Sequence, residues 1–165
     1  KGRARIQIEI DGTYIECPDS EGTTLIREDI IRPAEPKIPE DAETVEVPLI
    51  KLAWGRSGDK GDKANVGIIA RQPEFLPYIY AALSEEIVAQ RFSHFLPEDA
   101  PNHSACYVER YLMPGCNGIN FLLHQVLGGG GMASIRNDAQ GKGFGQLMLD
   151  ASIPVSAEIA DKISQ

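Results

Sequence analysis

Several features that mark common protein classes are scarce or missing in this chain of 165 residues. Its three cysteines, Cys17, Cys106 and Cys116, form no CxxC spacing and cannot all pair, which predicts reduced thiols in a cytoplasmic protein and implies no metal cluster. The longest apolar run, residues 121–127, is interrupted by two polar residues and is far too short to span a bilayer. The start of the chain carries no signal-peptide pattern. We therefore expect no membrane association and no bound metal.

Positive charge is also in short supply. Sixteen Lys and Arg residues face 24 Asp and Glu residues, which gives a formal net charge of −8. The overall field therefore repels nucleic acid and anionic membranes, and we expect neither as a partner. Any anionic ligand must be met by a local group of cations. The hydrophobic content of 42% fits one domain of ordinary size that buries its own core.

The first third of the chain predicts a hairpin and a linker. Ile6, Ile8 and Ile10 alternate with polar residues, and Asp11-Gly12 follows them, which predicts a β-hairpin with a type I′ turn. Residues 31–48 are rich in proline and acidic residues, a composition typical of an extended tether. We therefore assign residues 1–46 to a hairpin and linker, residues 47–153 to the main domain, and residues 154–165 to a tail or short helix.

Apolar periodicity predicts the elements of the main domain. Alternation and β-branched content indicate strands, whereas a stripe at i, i+3, i+4 indicates helices. One predicted helix begins at Asn117 and ends before Gly128, which is a typical C-cap residue. The order β-β-α-β-α-β-β predicts an α+β fold in which an antiparallel sheet carries two helices on one face. The predicted strands are residues 45–54, 65–70, 105–113, 132–136 and 144–153, and the predicted helices are residues 84–96 and 117–127.

The stretch from residue 52 to residue 71 is the most informative part of the sequence, because two strands flank a glycine-rich segment crowded with polar side chains. A P-loop requires Lys directly after the second glycine of GxxxxG, but Gly61 is followed by Asp62. An EF-hand requires carboxylates at alternating positions, which are missing here. Asp59 and Asp62 are left with three possible roles: an acid/base pair, Mg²⁺ binding through water, or ion pairs with neighbouring cations. The polar candidates in this segment are Arg56, Ser57, Asp59, Lys60, Asp62, Lys63 and Asn65.

A second glycine-rich segment spans residues 128–145. A dinucleotide fingerprint needs a strand before it and a helix after it, and the predicted order here is the reverse. Gly129 and Gly130 then either form a helix C-cap or let bare amides approach a carbonyl or phosphate. Arg136 and Lys142 follow as cations that can hold an anion.

Three other residues have both a structural and a functional interpretation. Cys116 precedes a predicted helix, where its thiol can pair with His103 or His124 as a nucleophile, but a small buried thiol is the ordinary outcome. His124 is a hydrogen-bonded core or rim residue in the simpler interpretation. Trp54 is either a core anchor or a stacking platform for a ligand.

Three stretches together carry a family resemblance: IKLAWGRSGDKGDKANVGIIAR at residues 50–71, NFLLHQVLGGGG at residues 120–131 and SIRNDAQGKGFGQLML at residues 134–149. They resemble the C-terminal domain of the AtuA (acyclic terpene utilisation) proteins. The resemblance implies a ferredoxin-like fold that follows a much larger N-terminal domain. It also implies a role in bacterial breakdown of citronellol-type terpenes through CoA thioesters.

We therefore predict a site shared by the two glycine-rich segments, which binds a CoA thioester. Asp59 and Asp62 are its acid/base candidates, and a hydratase or lyase step would suit them because it needs no redox cofactor. The predicted partners are the larger AtuA domain, as part of this protein or as a separate subunit, and further copies of the chain in a homo-oligomer. The alternatives are a non-catalytic docking or oligomerisation module and a small-molecule sensor. The predicted substrate-binding residues are Arg56, Ser57, Lys60, Asn65, Gly129, Gly130, Arg136 and Lys142.

Overall fold

The computed structural model describes residues 6–17, 22, 24, 26, 28, 30–38, 43–98 and 105–163. Its contacts divide the chain into two compact units, Lys1–Arg32 and Pro33–Gln165. Among the described residues, no helix has both the length and the apolar character that crossing a bilayer requires.

The first unit contains the predicted hairpin. Strand β1 (Ile6–Ile10) pairs antiparallel with β2 (Thr13–Cys17). Asp11 and Gly12, at φ 49° and 77°, connect the two strands, and two positive φ angles are what a type I′ turn requires. The predicted hairpin is therefore confirmed. Residues 31–38 of the predicted tether contain no helix or strand, and residues 39–42 lie outside the described part.

The second unit is an α+β structure, as predicted. Its elements follow the order β3 (Thr44–Pro48), α1 (Leu49–Leu52), β4 (Ala53–Lys60), β5 (Lys63–Ala70), α2 (Leu76–Ala82), α3 (Glu85–Arg91), β6 (Val108–Met113), β7 (Gly118–Leu123), α4 (Phe144–Leu149), β8 (Ser152–Ser156) and α5 (Ala157–Lys162).

The main sheet has four antiparallel strands in the order β4-β5-β7-β6. Alternation along the central strands separates its two faces, since successive side chains of a strand point to opposite sides. Val66 and Ile68 of β5 face the core with Phe121 of β7, and all three are fully buried. Asn65 of β5 and Leu122 of β7 pair on the other face and are only partly buried.

Helices α2, α3 and α4 cover the core face of the sheet. Phe144 of α4 packs against Phe92 and Phe95, which follow α3, with ring centroids 5.0 and 4.6 Å apart. Arg110 of β6 ties α2 to the sheet, because its guanidinium donates to the carbonyls of Tyr80 and Leu83 at 2.8 and 3.1 Å. The predicted helical layer on one face therefore exists, but three helices form it instead of two.

A second, two-stranded sheet joins the ends of the unit. Strand β3 pairs antiparallel with β8, and the Tyr78 hydroxyl on α2 lies 3.1 Å from Ser156 Oγ at the end of β8. The predicted boundary at residue 47 falls inside β3, and that at residue 153 falls inside β8. Residues 44–46 and 154–156 are thus part of a sheet, and the short helix predicted in the tail is α5.

Several predicted elements of the main domain are wrong. Residues 117–127 contain strand β7 where a helix was expected, because Ile119, Phe121 and Leu123 are buried on one sheet face with a period of two. Residues 144–149 form helix α4 where a strand was expected, because Phe144 and Met148 are buried one helical turn apart. Residues 132–136 contain no strand. The strand predicted over residues 45–54 is interrupted by α1, and the helix predicted over residues 84–96 ends at Arg91, before a 3-10 turn.

The first glycine-rich segment is also more regular than expected. Arg56 to Lys60 belong to β4 and Lys63 to Asn65 belong to β5, so the predicted loop is a β-hairpin whose turn contains only Gly61 and Asp62. Position 55 of β4 requires a glycine because α4 packs closely against it: a Cβ there would lie 2.9 Å from Leu149 Cγ. A loop could have turned these polar side chains toward one point. In the hairpin they are divided between the two faces of the sheet.

Candidate functional site

The face of the main sheet opposite to the helices is open, and the strand register arranges its side chains in rows. Each row crosses the strands in the order β4, β5, β7, β6. Three rows follow from the pairing: Trp54, Ile69, Gly118 and Met113; then Arg56, Gly67, Asn120 and Tyr111; then Gly58, Asn65, Leu122 and Glu109.

Asn65 lies at the centre of this face. Its side-chain amide donates to Asn120 Oδ1 at 2.8 Å, which ties β5 to β7 on the open side. Arg56 and Lys60 are its diagonal neighbours on β4, at a typical Cα separation of about 7–8 Å. Glycines occupy the position beside it on β4 and the next open-face position along β5, so the sheet is not covered by side chains there.

A shallow cavity of about 320 Å³ opens beside Asn65, along the edge strand β4. Three cations contribute to its wall, and none of its lining residues is acidic. This is an unusual local balance in a chain with a net charge of −8. The arrangement favours an anionic ligand, because the neighbouring cations repel one another unless a counter-charge lies between them. The lining residues are Arg56, Ser57, Gly58, Lys60, Asn65, Gly67 and Lys142.

Lys142 reaches this cavity from the second glycine-rich segment through Ser57. The Ser57 hydroxyl donates to the Lys142 carbonyl at 3.0 Å and accepts from the Gly145 amide at 2.8 Å. The Asp138 carboxylate holds the same turn, since it accepts from the amides of Lys142 and Gly143, both at 2.8 Å. A Cβ on Gly58 would lie 3.2 Å from Lys142 Nζ, so the ammonium group lies above a glycine.

The two predicted acid/base residues lie in different parts of the hairpin, Asp59 in a strand and Asp62 in the turn. Asp59 pairs with the buried Ala64 and thus lies on the core side of β4. Arg56 and Lys60 lie on the open face. Asp62 lies in the hairpin turn, and its carboxylate accepts from the Gly129 amide at 2.7 Å. This contact joins the two glycine-rich segments, but neither carboxylate lines the cavity. The acid/base role of Asp59 and Asp62 stays a prediction that the geometry does not favour.

Gly129 and Gly130 serve this contact between the segments. Both have positive φ, 99° and 81°, and a Cβ built on Gly130 would lie 2.5 Å from the Gly61 carbonyl oxygen. The Gly129 amide is already used by Asp62. These glycines therefore allow the two backbone segments to approach closely, and their contact with a ligand stays a prediction.

Arg136 lies away from the cavity. Its guanidinium donates to the backbone carbonyls of Phe95, at 3.1 Å, and Val126, and it lies 5.9 Å from the centroid of the Phe95 ring. The side chain is partly buried. Its charge is thus used to fix the segment after β7 to the segment after α3, and its role in holding an anion stays a prediction.

Sequence reasoning missed a cluster on the same open face, formed by Glu109, Tyr111 and His124. The Glu109 carboxylate accepts from the Tyr111 hydroxyl through one oxygen and contacts His124 Nε2 through the other. These two contacts, that of Tyr111 first, lower the pKa of Glu109 from its ordinary value. Alternation along β6 places Glu109 and Tyr111 on one face, but finding His124 beside them requires knowing that β7 is a strand.

Two further predictions can be compared with the structure. Trp54 is no core anchor, because 53% of its surface is exposed and the Arg71 guanidinium lies 4.8 Å from its ring centroid. Cys116 is exposed in the turn before β7, so the helix that was predicted to follow it does not exist. His103, its possible partner, lies outside the described residues. Within the described part of the chain, no group of three or more His, Cys, Asp or Glu side chains is arranged to hold a metal ion.

Comparison with models of protein families gives a match over the second unit. The model of the AtuA ferredoxin-like domain family matches residues 47–154, which is more than half of the chain. The chain therefore belongs to this family, and the predicted ferredoxin-like α+β fold is confirmed. No curated protein and no solved structure matches the chain.

Proposed function

We propose that this AtuA ferredoxin-like domain binds the anionic part of a CoA thioester, in the breakdown of acyclic terpenes or related branched acyl compounds. One observation carries the proposal: Arg56, Lys60 and Lys142 converge on one cavity whose lining contains no carboxylate. The family membership supports the choice of ligand, since the resemblance noted in the sequence implies chemistry through CoA thioesters.

The physical basis is the contrast between the local and the overall charge. A phosphate approaching this acidic chain is repelled at long range, so binding depends on short-range contacts with the cations of the cavity. Arg56 can offer a planar fork of donors to phosphate oxygens, whereas Lys60 and Lys142 act as mobile point charges. Because such contacts are partly exposed, we expect the affinity to fall with rising salt concentration.

A lyase or hydratase step stays part of the proposal, but with a proton acceptor other than Asp59 or Asp62. Such a step needs a proton acceptor close to the bound substrate, within hydrogen-bond reach or through one water. Asp59 and Asp62 do not line the cavity. The binding function is therefore the primary proposal, and proton transfer is assigned to residues elsewhere on the open face.

Calorimetric titration with CoA, dephospho-CoA and geranyl-CoA tests the binding proposal. Arg56→Ala and Lys142→Ala each remove a charge-assisted contact of about 1.5–3 kcal/mol, which should raise Kd by about 10-fold or more. Lys51→Ala is the matched control, because it removes one positive charge from an exposed position of α1 that does not line the cavity. Equal affinities in the three variants, or no binding by the folded wild type, would refute the proposal.

The second candidate function is a docking module for the larger AtuA domain or for another copy of the chain. Apolar side chains at one end of the open face favour it: Trp54 and Ile69 are neighbours across β4 and β5, and 53% and 39% of their surfaces are exposed. Sedimentation of wild type and Trp54→Ser would test self-association. A concentration-dependent dimer that the substitution abolishes supports docking, whereas a monomer at all concentrations argues against it.

A further inference from the structure

The cluster of Glu109, Tyr111 and His124 shares the open face with the cation cavity. Glu109 lies in the same row as Gly58 and Asn65, which line the cavity. His124 directly follows β7, and its amide donates to the Tyr107 carbonyl at 2.8 Å, so the pairing with the β6 side continues past Leu123. The contact with Glu109 places the imidazole on the open face.

The contact with Glu109 determines which ring nitrogen of His124 carries the proton. The Glu109 carboxylate is an acceptor, so the neutral imidazole carries its proton on Nε2 and donates it to Glu109. Nδ1 then keeps its lone pair and can accept a proton. The Tyr111 hydroxyl fixes the other carboxylate oxygen, which holds the orientation of Glu109. A carboxylate that sets the tautomer of a histidine is a common arrangement for a general base.

The position of this imidazole relative to the cavity suits one extended ligand. Neighbouring strands lie about 4.8 Å apart, so β7, which His124 directly follows, is roughly 10 Å from the edge strand β4. Asn65, which itself lines the cavity, lies on β5 between β4 and β7, and it is hydrogen-bonded to Asn120 of β7. In the described part of the chain, that bond leaves the Asn120 amide hydrogens available to a ligand oxygen. A ligand whose anionic end lies among the cations can thus place a carbonyl near the asparagines.

We propose that His124 is the proton acceptor for the acyl part of a thioester held by the cation cavity, and that Glu109 positions it. This inference rests on the proposed function. Nδ1 takes a proton from the carbon next to the thioester carbonyl, and the electron pair of the C–H bond moves into the carbonyl to form an enolate. The enolate oxygen is stabilised by the Asn120 amide. In D₂O the imidazolium exchanges its proton with solvent and returns a deuteron to the same carbon, so the thioester is recovered with deuterium in place of hydrogen.

The test is the rate of deuterium incorporation into isovaleryl-CoA in D₂O, followed by proton NMR. Wild type should catalyse the exchange, and His124→Gln should lose about 100-fold or more of the rate. The Kd for CoA should stay within about twofold in His124→Gln, because this side chain does not line the cavity. Tyr111→Phe is the mild variant and should lose less than His124→Gln. Circular dichroism and urea unfolding show that each variant is folded.

Glu109 needs a readout that a purely structural role would not change. Nitrogen NMR of labelled imidazole should show the Nε2–H tautomer of His124 in wild type and a mixture of tautomers in Glu109→Gln. Glu109→Asp should recover part of the exchange rate. The Nδ1–H tautomer in wild type would overturn the assignment of the base.

The outcomes separate this inference from the proposed function. CoA binding without exchange by the wild type overturns the inference and leaves the binding proposal intact. Exchange at an unchanged rate in His124→Gln also overturns the inference alone. Failure of folded wild type to bind CoA overturns both.

Discussion

Replacing Gly130 with alanine should destabilise the protein through a clash that a matched glycine elsewhere does not meet. Gly130 has φ 81°, and a Cβ there would lie 2.5 Å from the Gly61 carbonyl oxygen and 2.8 Å from its carbon. Gly115 has nearly the same φ, 85°, with no atom within 4 Å of the added Cβ. The pair therefore separates the cost of the backbone conformation from the cost of the clash.

The magnitudes follow from the contacts. An L-residue in the left-handed region costs about 1 kcal/mol or somewhat more, and both variants carry this cost. At Gly130 the obstacle is backbone, which cannot rotate away as a side chain can. The segment must then withdraw from the hairpin turn and lose the hydrogen bond between Asp62 and the Gly129 amide, worth about 1 kcal/mol because it is exposed to solvent. We expect a total near 3 kcal/mol for Gly130→Ala, allowing for lost packing, and about 1 kcal/mol for Gly115→Ala.

Urea unfolding followed by circular dichroism measures both costs. With a denaturant slope of about 2 kcal/mol per molar, the midpoint of Gly130→Ala should fall roughly 1 M below that of Gly115→Ala. Adding Asp62→Ala to each background gives a second check, because the substitution should cost little once the bond is already broken. Equal midpoints for the two glycine variants would refute the close approach of the two segments.

The remaining predictions concern single contacts. Ser57→Ala should lower the free energy of unfolding by about 1–3 kcal/mol, since it leaves the Gly145 amide without its acceptor; denaturant titration measures this. Ser84→Ala removes an N-cap and should cost about 1 kcal/mol in the same assay. Arg136→Lys should lower the thermal midpoint while the Kd for CoA stays unchanged, because Arg136 binds backbone carbonyls and does not line the cavity. The lowered pKa of Glu109 stabilises the fold above the ordinary carboxyl pKa, and this contribution is lost as the pH falls through the lowered value, so Glu109→Gln should flatten the acid limb of a stability profile.

The sequence was sufficient where one local pattern determines the structure. Asp11-Gly12 between alternating isoleucines specifies a type I′ hairpin, because the turn chemistry and the strand period agree. The helix predicted to start at residue 84 does start there, and the Ser84 hydroxyl caps α3 by accepting from the Ile87 amide. The family motifs were also sufficient for the fold class, since they cover most of the main domain.

Prediction failed where an apolar segment fits two periods. Ile119, Leu122 and Leu123 match a helical stripe, but Ile119, Phe121 and Leu123 match a strand equally well. The preceding turn decides between them: Gly115 and Asn117 have φ 85° and 51°, so the chain reverses and β7 pairs with β6. A reversal of this kind depends on contacts between strands, which single-segment periodicity does not contain.

For the same reason, the sequence predicted the cations of the candidate site but not the contact between His124 and Glu109. Its cations lie close together in sequence on β4, or follow a glycine-rich segment, and were therefore found from composition. The contact of His124, which follows β7, with Glu109 of β6 joins residues 15 positions apart, and it exists only because β7 is a strand. Asp59 and Arg56 likewise lie on opposite faces of the sheet because the segment that contains them is a strand, with alternating side chains, and not a loop.

Lys142 shows why stability and binding must be measured together at this site. β4 is an edge strand of the main sheet, and an uncovered edge strand is open to pairing with another chain. Ser57 fastens the segment before α4 onto this edge, and the same contact brings the Lys142 ammonium above Gly58. A variant that loosens the segment would therefore both expose the edge and withdraw a cation from the cavity. Loss of CoA binding in Ser57→Ala accompanied by aggregation indicates a released edge, whereas loss in a monomeric Lys142→Ala reports on the charge itself.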